Sequence, residues 1–214
     1  NGLALVFASG QNLDRTVSVY RAARKCGRTL VMDLYTAYIQ HKLRFLSRNL
    51  PQHDWDGVRV KYWPNHQNIL FEHDQDFLRR VKASHIHMTE LVNHGEDFAL
   101  LARHNRFLRH FLDHFPDPTR IRFIWSMWKG YLQPNCDLVE LSDFMGISLD
   151  HCHTSGHAHV RHLQALVDAV SPKRVIPIHT EHPEGFDSLF PRVLRLTDGE
   201  LLNLTPQPGV SQND

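Results

Sequence analysis

Two short stretches hold the residues whose types and spacing could do chemistry. The first is His153-Thr154-Ser155-Gly156-His157-Ala158, and the second is Val175-Ile176-Pro177-Ile178-His179-Thr180-Glu181. Between them Val160, Leu163, Leu166, Val167 and Val170 recur at spacings of three and four, the period of an amphipathic helix. Pro172 ends that helix, and the apolar run from Val175 to Ile178 reads as a buried strand. His157 therefore sits in a Gly-containing turn before a helix, and His179 sits where the next strand ends. A helix packing back on a sheet would bring the two imidazoles together, as a metal or acid–base site requires. Taken alone, such a pair is more often two hydrogen-bonded structural histidines.

The elements upstream must position these residues. Leu3 to Phe7 reads as a buried strand, Leu13 to Lys25 as a helix closed by Gly27, and Thr29 to Leu34 as a second strand. This strand–helix–strand unit argues for an α/β fold with a parallel sheet. Ser9 and Gly10 lie where the first strand hands over to the helix, a natural place for an anion, and Asn12 is placed to cap the helix. An ordinary turn is the competing explanation for Ser9 and Gly10. Further along, helices are expected over Ala37 to Leu50, part of Gln67 to Lys82, Asn105 to Phe115 and Asp137 to Met145. Strands are expected at Val58 to Tyr62, Phe98 to Ala102, Arg120 to Ser126 and Gly146 to Asp150. After His179 come a short helix near Phe186 to Phe190 and a hairpin, Arg192 to Leu196 with Glu200 to Leu204, turning at Asp198-Gly199.

Composition limits the function classes. The 214 residues suffice for one large domain or two small ones. Lys plus Arg less Asp plus Glu is 24 − 23 = +1, no signature of a nucleic-acid binder by net charge alone. Cys26, Cys136 and Cys152 form no CxxC pair and fit a reducing cytoplasm. No apolar run approaches the roughly 20 residues of a membrane span, and no signal peptide is present. The chain begins at Asn1 and runs straight into a strand, so a segment upstream is expected. The tail 208–214 is expected to fray.

Ser-Gly-His-Ala, a helix, then Ile-Pro-Ile-His-Thr-Glu resembles the C-terminal signature of the β-CASP nucleases, metallo-β-lactamase-fold enzymes that include RNase J. The opening, Val6-Phe7-Ala8-Ser9 with Asn12 and Asp14-Arg15 and then Arg28 to Thr36, is similar to the start of the β-CASP insert. The resemblance implies a β-CASP domain over residues 1–145 and the C-terminal part of a metallo-β-lactamase αββα domain over 146–207. It implies a nuclease with two zinc ions, hydroxide attacking phosphorus and His157 assisting the leaving oxygen. It makes His179 a zinc ligand, Glu181 its supporting partner, and Ser155, Gly156, Ser9 and Asn12 phosphate-binding residues. Ser126 matches a family serine near the phosphate; for Trp125-Ser126-Met127-Trp128 the alternative is an aromatic cluster covering a sheet edge. In the family a histidine at the position of His179 accompanies RNA processing, so single-stranded RNA is the implied substrate. Members often dimerise.

The pattern departs from the family in places. Thr180 stands where Gly is usual. The zinc-binding HxHxDH loop is missing: Ser84-His85-Ile86-His87-Met88-Thr89-Glu90 begins like it but lacks the Asp-His pair, and reads as a surface loop or helix end. Asp33 falls one strand too late to replace the family's acidic motif. His151, Cys152, His153 and His157 permit a local mononuclear zinc site, because strand alternation puts His151 and His153 on one face. Other classes remain: a metal-free binding or scaffolding module, or a nuclease acting on DNA.

Overall fold

In a computed structural model, residues 2–105, 107–133, 136–154 and 158–204 are described. The expected frayed tail, 208–214, lies outside them. They fall into two compact units, Asn1–Ser155 and Gly156–Asp214.

The first unit is built on a six-stranded sheet in the order β3-β2-β4-β1-β5-β6. The strands are β1 (Ala4–Phe7), β2 (Thr29–Asp33), β3 (Val58–Lys61), β4 (Phe98–Ala102), β5 (Arg122–Trp125) and β6 (Ser148–His151). Every pairing is parallel. Parallel strands need long crossovers, and helices supply them. These are α1 (Leu13–Lys25), α2 (Leu34–Lys42), α3 (Pro64–His73), α4 (Gln75–Val81), α5 (Met88–Asn93), α6 (Leu108–Leu112) and α7 (Asp137–Met145). The fold is α/β with a parallel sheet flanked by helices, as the strand–helix–strand pattern implies.

Alternation along the strands divides the core in two. Leu5, Phe7, Val31, Leu100 and Phe123 face one layer together with Leu112 and Leu138. Val6, Leu30, Met32, Val58, Val60 and Leu101 face the other with Phe77 and Val81. The inner strands β1, β2 and β4 are buried on both faces, which is why they read as apolar runs, whereas the edge strand β6 has no buried residue.

Several boundaries differ from expectation. The helix expected from Ala37 to Leu50 is Leu34–Lys42; Asp33 caps its start through Thr36 N–H at 2.7 Å, and the Arg44 side chain takes the His41 carbonyl at its end. The helical stretch Gln67 to Lys82 is two helices. Asp74 ends α3 and caps α4 by accepting from Phe77 N–H at 2.9 Å. The helix expected from Asn105 to Phe115 is regular only over Leu108–Leu112. The Ser84 to Glu90 segment is a short 3-10 turn leading into α5, with Ile86 in the core, in line with a loop or helix end.

In the second unit α8 (Val160–Val170) has the bounds its periodicity predicts, and none of its residues is buried. The buried strand expected at Val175 to Ile178 does not form. Val175 makes one isolated parallel bridge to Val193, and Ile178 is 80% exposed. Pro177 interrupts the run and has no N–H for a ladder. The hairpin is also not formed. Its turn exists: Glu200 N–H donates to the Thr197 carbonyl, and the Glu200 carboxylate accepts from Thr197 N–H. The flanking segments do not pair, because Val193 takes Val175 and because Leu201 and Leu204 bury little surface. The helix near Phe186 is a 3-10 segment, Pro183–Ser188.

Candidate functional site

Three neighbouring strands deliver the sequence-predicted residues of the first unit to one edge. Phe7 is in register with Trp125, and Trp125 with His151. The strands are parallel, so the residues that follow leave the sheet side by side: Ala8-Ser9-Gly10, Ser126-Met127-Trp128 and Cys152-His153-Thr154. In open α/β sheets ligands bind beyond these carboxyl ends.

Hydrogen bonds hold the three exits together. Ser126 is buried and its hydroxyl donates to the Cys152 carbonyl at 2.7 Å. Cys152 N–H donates to the Trp125 carbonyl at 2.9 Å. His151 Nε2 lies 3.1 Å from the Met127 carbonyl; a carbonyl only accepts, so this nitrogen carries the proton. Arg15, in the first turn of α1, reaches across to the Thr154 carbonyl at 3.1 Å and His153 Nδ1 at 3.3 Å. A guanidinium only donates, so Nδ1 accepts. The segment entering Ser155 is thus fixed by β5 on one side and α1 on the other.

The β1–α1 turn is equally constrained. Asn12 caps α1, its side-chain oxygen accepting from Arg15 N–H at 2.9 Å. The Ser9 carbonyl accepts from Asn12 N–H, and the Ser9 hydroxyl from Gln11 N–H. Gly10 passes close to α2: a β-carbon there would crowd the Thr36 hydroxyl, which would have to turn away.

Ser155, Gly156 and His157 lie outside the described residues. His179 and Glu181 belong to the second unit, on an exposed turn. His179 has a φ of 55°, in the left-handed region that favours glycine. The family's glycine is expected one residue later, at Thr180; here the histidine itself takes the unusual conformation. Ser171 and Arg192 share this region, so the conformation by itself assigns His179 no role.

Asp33 is spent structurally. One carboxylate oxygen caps α2 and the other pairs with Arg103, which stacks over Tyr35 at 4.6 Å. This pair lines a cavity of about 1060 Å³ at the ends of β2, β3 and β4, with His66, Trp63 and Phe111. Burial holds the His66 imidazole below its ordinary pKa, partly offset by Asp33. None of the residues predicted from sequence lines this cavity.

The described residues do not make a zinc site: among them no three His, Cys, Asp or Glu side chains converge. His85 and His87 pack ring on ring at 4.5 Å, with Tyr62 against His85. Of the mononuclear site suggested around His151, Cys152, His153 and His157, His157 lies outside the described residues, and Arg15 donates to His153 Nδ1, leaving Nε2 as that ring's nitrogen for a metal.

Sequence reasoning passed over Arg15 as a site residue. The signal was there: it stands three residues after the helix cap, where a side chain overhangs the strand ends.

Over residues 147–184 the chain matches a protein-family model described as a Zn-dependent metallo-hydrolase RNA specificity domain. The matched stretch begins at Ile147, takes in β6, the loop after it and α8, and ends beyond His179 and Glu181. It is consistent with the metallo-β-lactamase superfamily. No curated protein matches the chain.

Proposed function

We propose that this chain is the RNA-handling part of a β-CASP nuclease of the metallo-β-lactamase fold, acting on phosphodiester bonds of single-stranded RNA in the cytoplasm. One observation carries the proposal. The RNA-specificity match covers both Ser155-Gly156-His157 in sequence and His179, and its first strand, β6, is the one whose exit is bonded to β5 and α1.

In this proposal residues 1–145 are the β-CASP domain and 146–207 the C-terminal part of the metallo-β-lactamase domain. The scissile phosphate sits at the strand ends. The Ser155 hydroxyl and Gly156 N–H donate to its non-bridging oxygens, and His157 gives a proton to the leaving oxygen. Ser9 and the Asn12 side-chain amide face the neighbouring phosphate. Ser126 shapes the loop through Cys152 and reaches phosphate by turning its proton away from that carbonyl. His179 would contribute an imidazole to a zinc centre, most of whose ligands lie outside this chain, and Glu181 would orient it. The complete enzyme works as a homodimer.

Fluorescence anisotropy with labelled single-stranded RNA and DNA of one sequence tests this. RNA is expected to bind the chain more tightly than DNA, and His157→Ala to leave that binding nearly intact. In the complete enzyme the same substitution should slow cleavage by about a hundredfold or more. DNA bound as tightly as RNA, or cleavage within about tenfold of the parent, sinks the proposal.

A further inference from the structure

The turn after β5 presents two aromatic rings to solvent in a fixed arrangement. Trp128 is 59% exposed and Tyr131 is 63% exposed. Their rings meet edge to face with centroids 5.4 Å apart. Hydrogen bonds brace the main chain that carries both rings. The Trp128 carbonyl accepts from Trp125 Nε1 at 3.1 Å and from Tyr131 N–H at 3.2 Å. Leu132 N–H closes the turn on the Lys129 carbonyl, and the Gln133 amide donates to the Gly130 carbonyl. Gly130 is the floor under the indole: a β-carbon there would collide with the six-membered ring of Trp128. Large rings held open to water forgo the hydrophobic stabilisation that burial would give.

The position of this pair indicates what covers it. Met127, just before Trp128, has its carbonyl bonded to His151, which lies inside the RNA-specificity match. Lys129 stands between the two rings in sequence, and Arg15 reaches the same strand ends. Neither cation has a carboxylate partner among the described residues. Exposed aromatic faces and uncompensated cations at the same strand ends are the elements of a single-strand stacking site, because every base has a flat face and every linkage a negative charge.

We infer that Trp128 and Tyr131 form a stacking platform for one base of single-stranded RNA, next to the nucleotide whose phosphate meets the exit of β6 at Cys152 to Thr154. The inference rests on the proposed RNA function and adds the residues that grip a base.

The test uses the 214-residue chain and labelled single-stranded RNA, followed by anisotropy. Trp128→Ala should weaken binding by about ten- to a hundredfold, and Trp128→Phe, which keeps a flat ring, should restore most of it. An RNA series with one abasic position moved along the strand should contain a member that the parent and Trp128→Ala bind equally. Thermal melting checks that the variants fold. If the parent binds RNA and both Trp128→Ala and Tyr131→Ala bind within twofold of it, the platform is wrong and the RNA function stands. Equal loss on every abasic RNA also overturns stacking. A parent chain that dimerises through this turn, with Trp128→Ala monomeric and RNA affinity unchanged, assigns the rings to a second copy and overturns the inference. No RNA binding by the parent overturns both proposals.

Discussion

Ser126 and Arg15 do related work from opposite sides of one loop. Each hydrogen-bonds a main-chain carbonyl in the segment leading to Ser155, Ser126 at Cys152 and Arg15 at Thr154. Ser126 is buried, so Ser126→Ala leaves the Cys152 carbonyl without that donor. The expected cost is about 1–2 kcal/mol, read from the urea midpoint. Arg15 is more exposed, and Arg15→Gln should change stability little while weakening RNA binding several-fold and flattening its salt dependence. If Arg15→Gln leaves both affinity and salt dependence unchanged, Arg15 does not serve the site. Local sequence suggested Ser9 as an anion site and Asn12 as a helix cap, the family resemblance added Ser126, and the structure brings their strand ends together. Which hydrogen bonds they make could not be seen in the sequence: Asn12 and Ser126 carry local partners that a list of polar residues cannot show.

At the scale of elements, the inner strands were legible because a strand buried on both faces must be apolar along its length. Leu3 to Phe7 and Phe98 to Ala102 are such runs. The same rule misled at Val175 to Ile178: an apolar run becomes a strand only with a neighbour to ladder against, and Pro177 removes a donor in its middle. α8 shows the complement, its period giving correct bounds without saying what the apolar face meets. The break between α3 and α4 was hidden because both halves share helical composition. Asp74 decides it by capping α4 and accepting an ion pair from Lys42 of α2 at 2.7 Å. Asp74→Ala should therefore cost about 1 kcal/mol or somewhat more, seen in chemical denaturation. Asp74→Asn keeps the capping oxygen and should recover most of it. Equal loss in the two variants would show that the ion pair, and not the cap, matters.

At the scale of the molecule, acid should destabilise the first unit through its histidines. Burial pushes His41, His53, His66 and His85 below the ordinary imidazole pKa. Neighbouring cations add to this: Arg44, Lys42 and Arg80 at His41, Arg80 at His53, Arg103 at His66, Lys61 and Arg59 at His85. Asp54 and Asp33 oppose it at His53 and His66. His41 and His53 both pack on Phe77, joining α2, the loop before β3 and α4. Between each lowered folded value and the unfolded value near 6.5, the unfolded chain holds more protons than the folded one. Stability is therefore complete above that value and is lost as pH falls through it. Melting temperature should drop from pH 7.5 to 5.5, and His53→Gln should flatten the dependence. A melting temperature that holds steady or rises on acidification would contradict the buried-neutral state of these rings.

The central claim is that single-stranded RNA lies across the ends of β1, β5 and β6. Photo-crosslinking RNA that carries 4-thiouridine to the full chain, followed by peptide mapping, tests it most directly. The predicted result is crosslinks in the peptides holding Ser9 to Arg15, Ser126 to Tyr131 and His151 to Ala158, with the Trp128 peptide lost in Trp128→Ala. Crosslinks confined to the cavity edge around Trp63, Arg103 and Phe111 would contradict it, and place the RNA on the other half of the sheet.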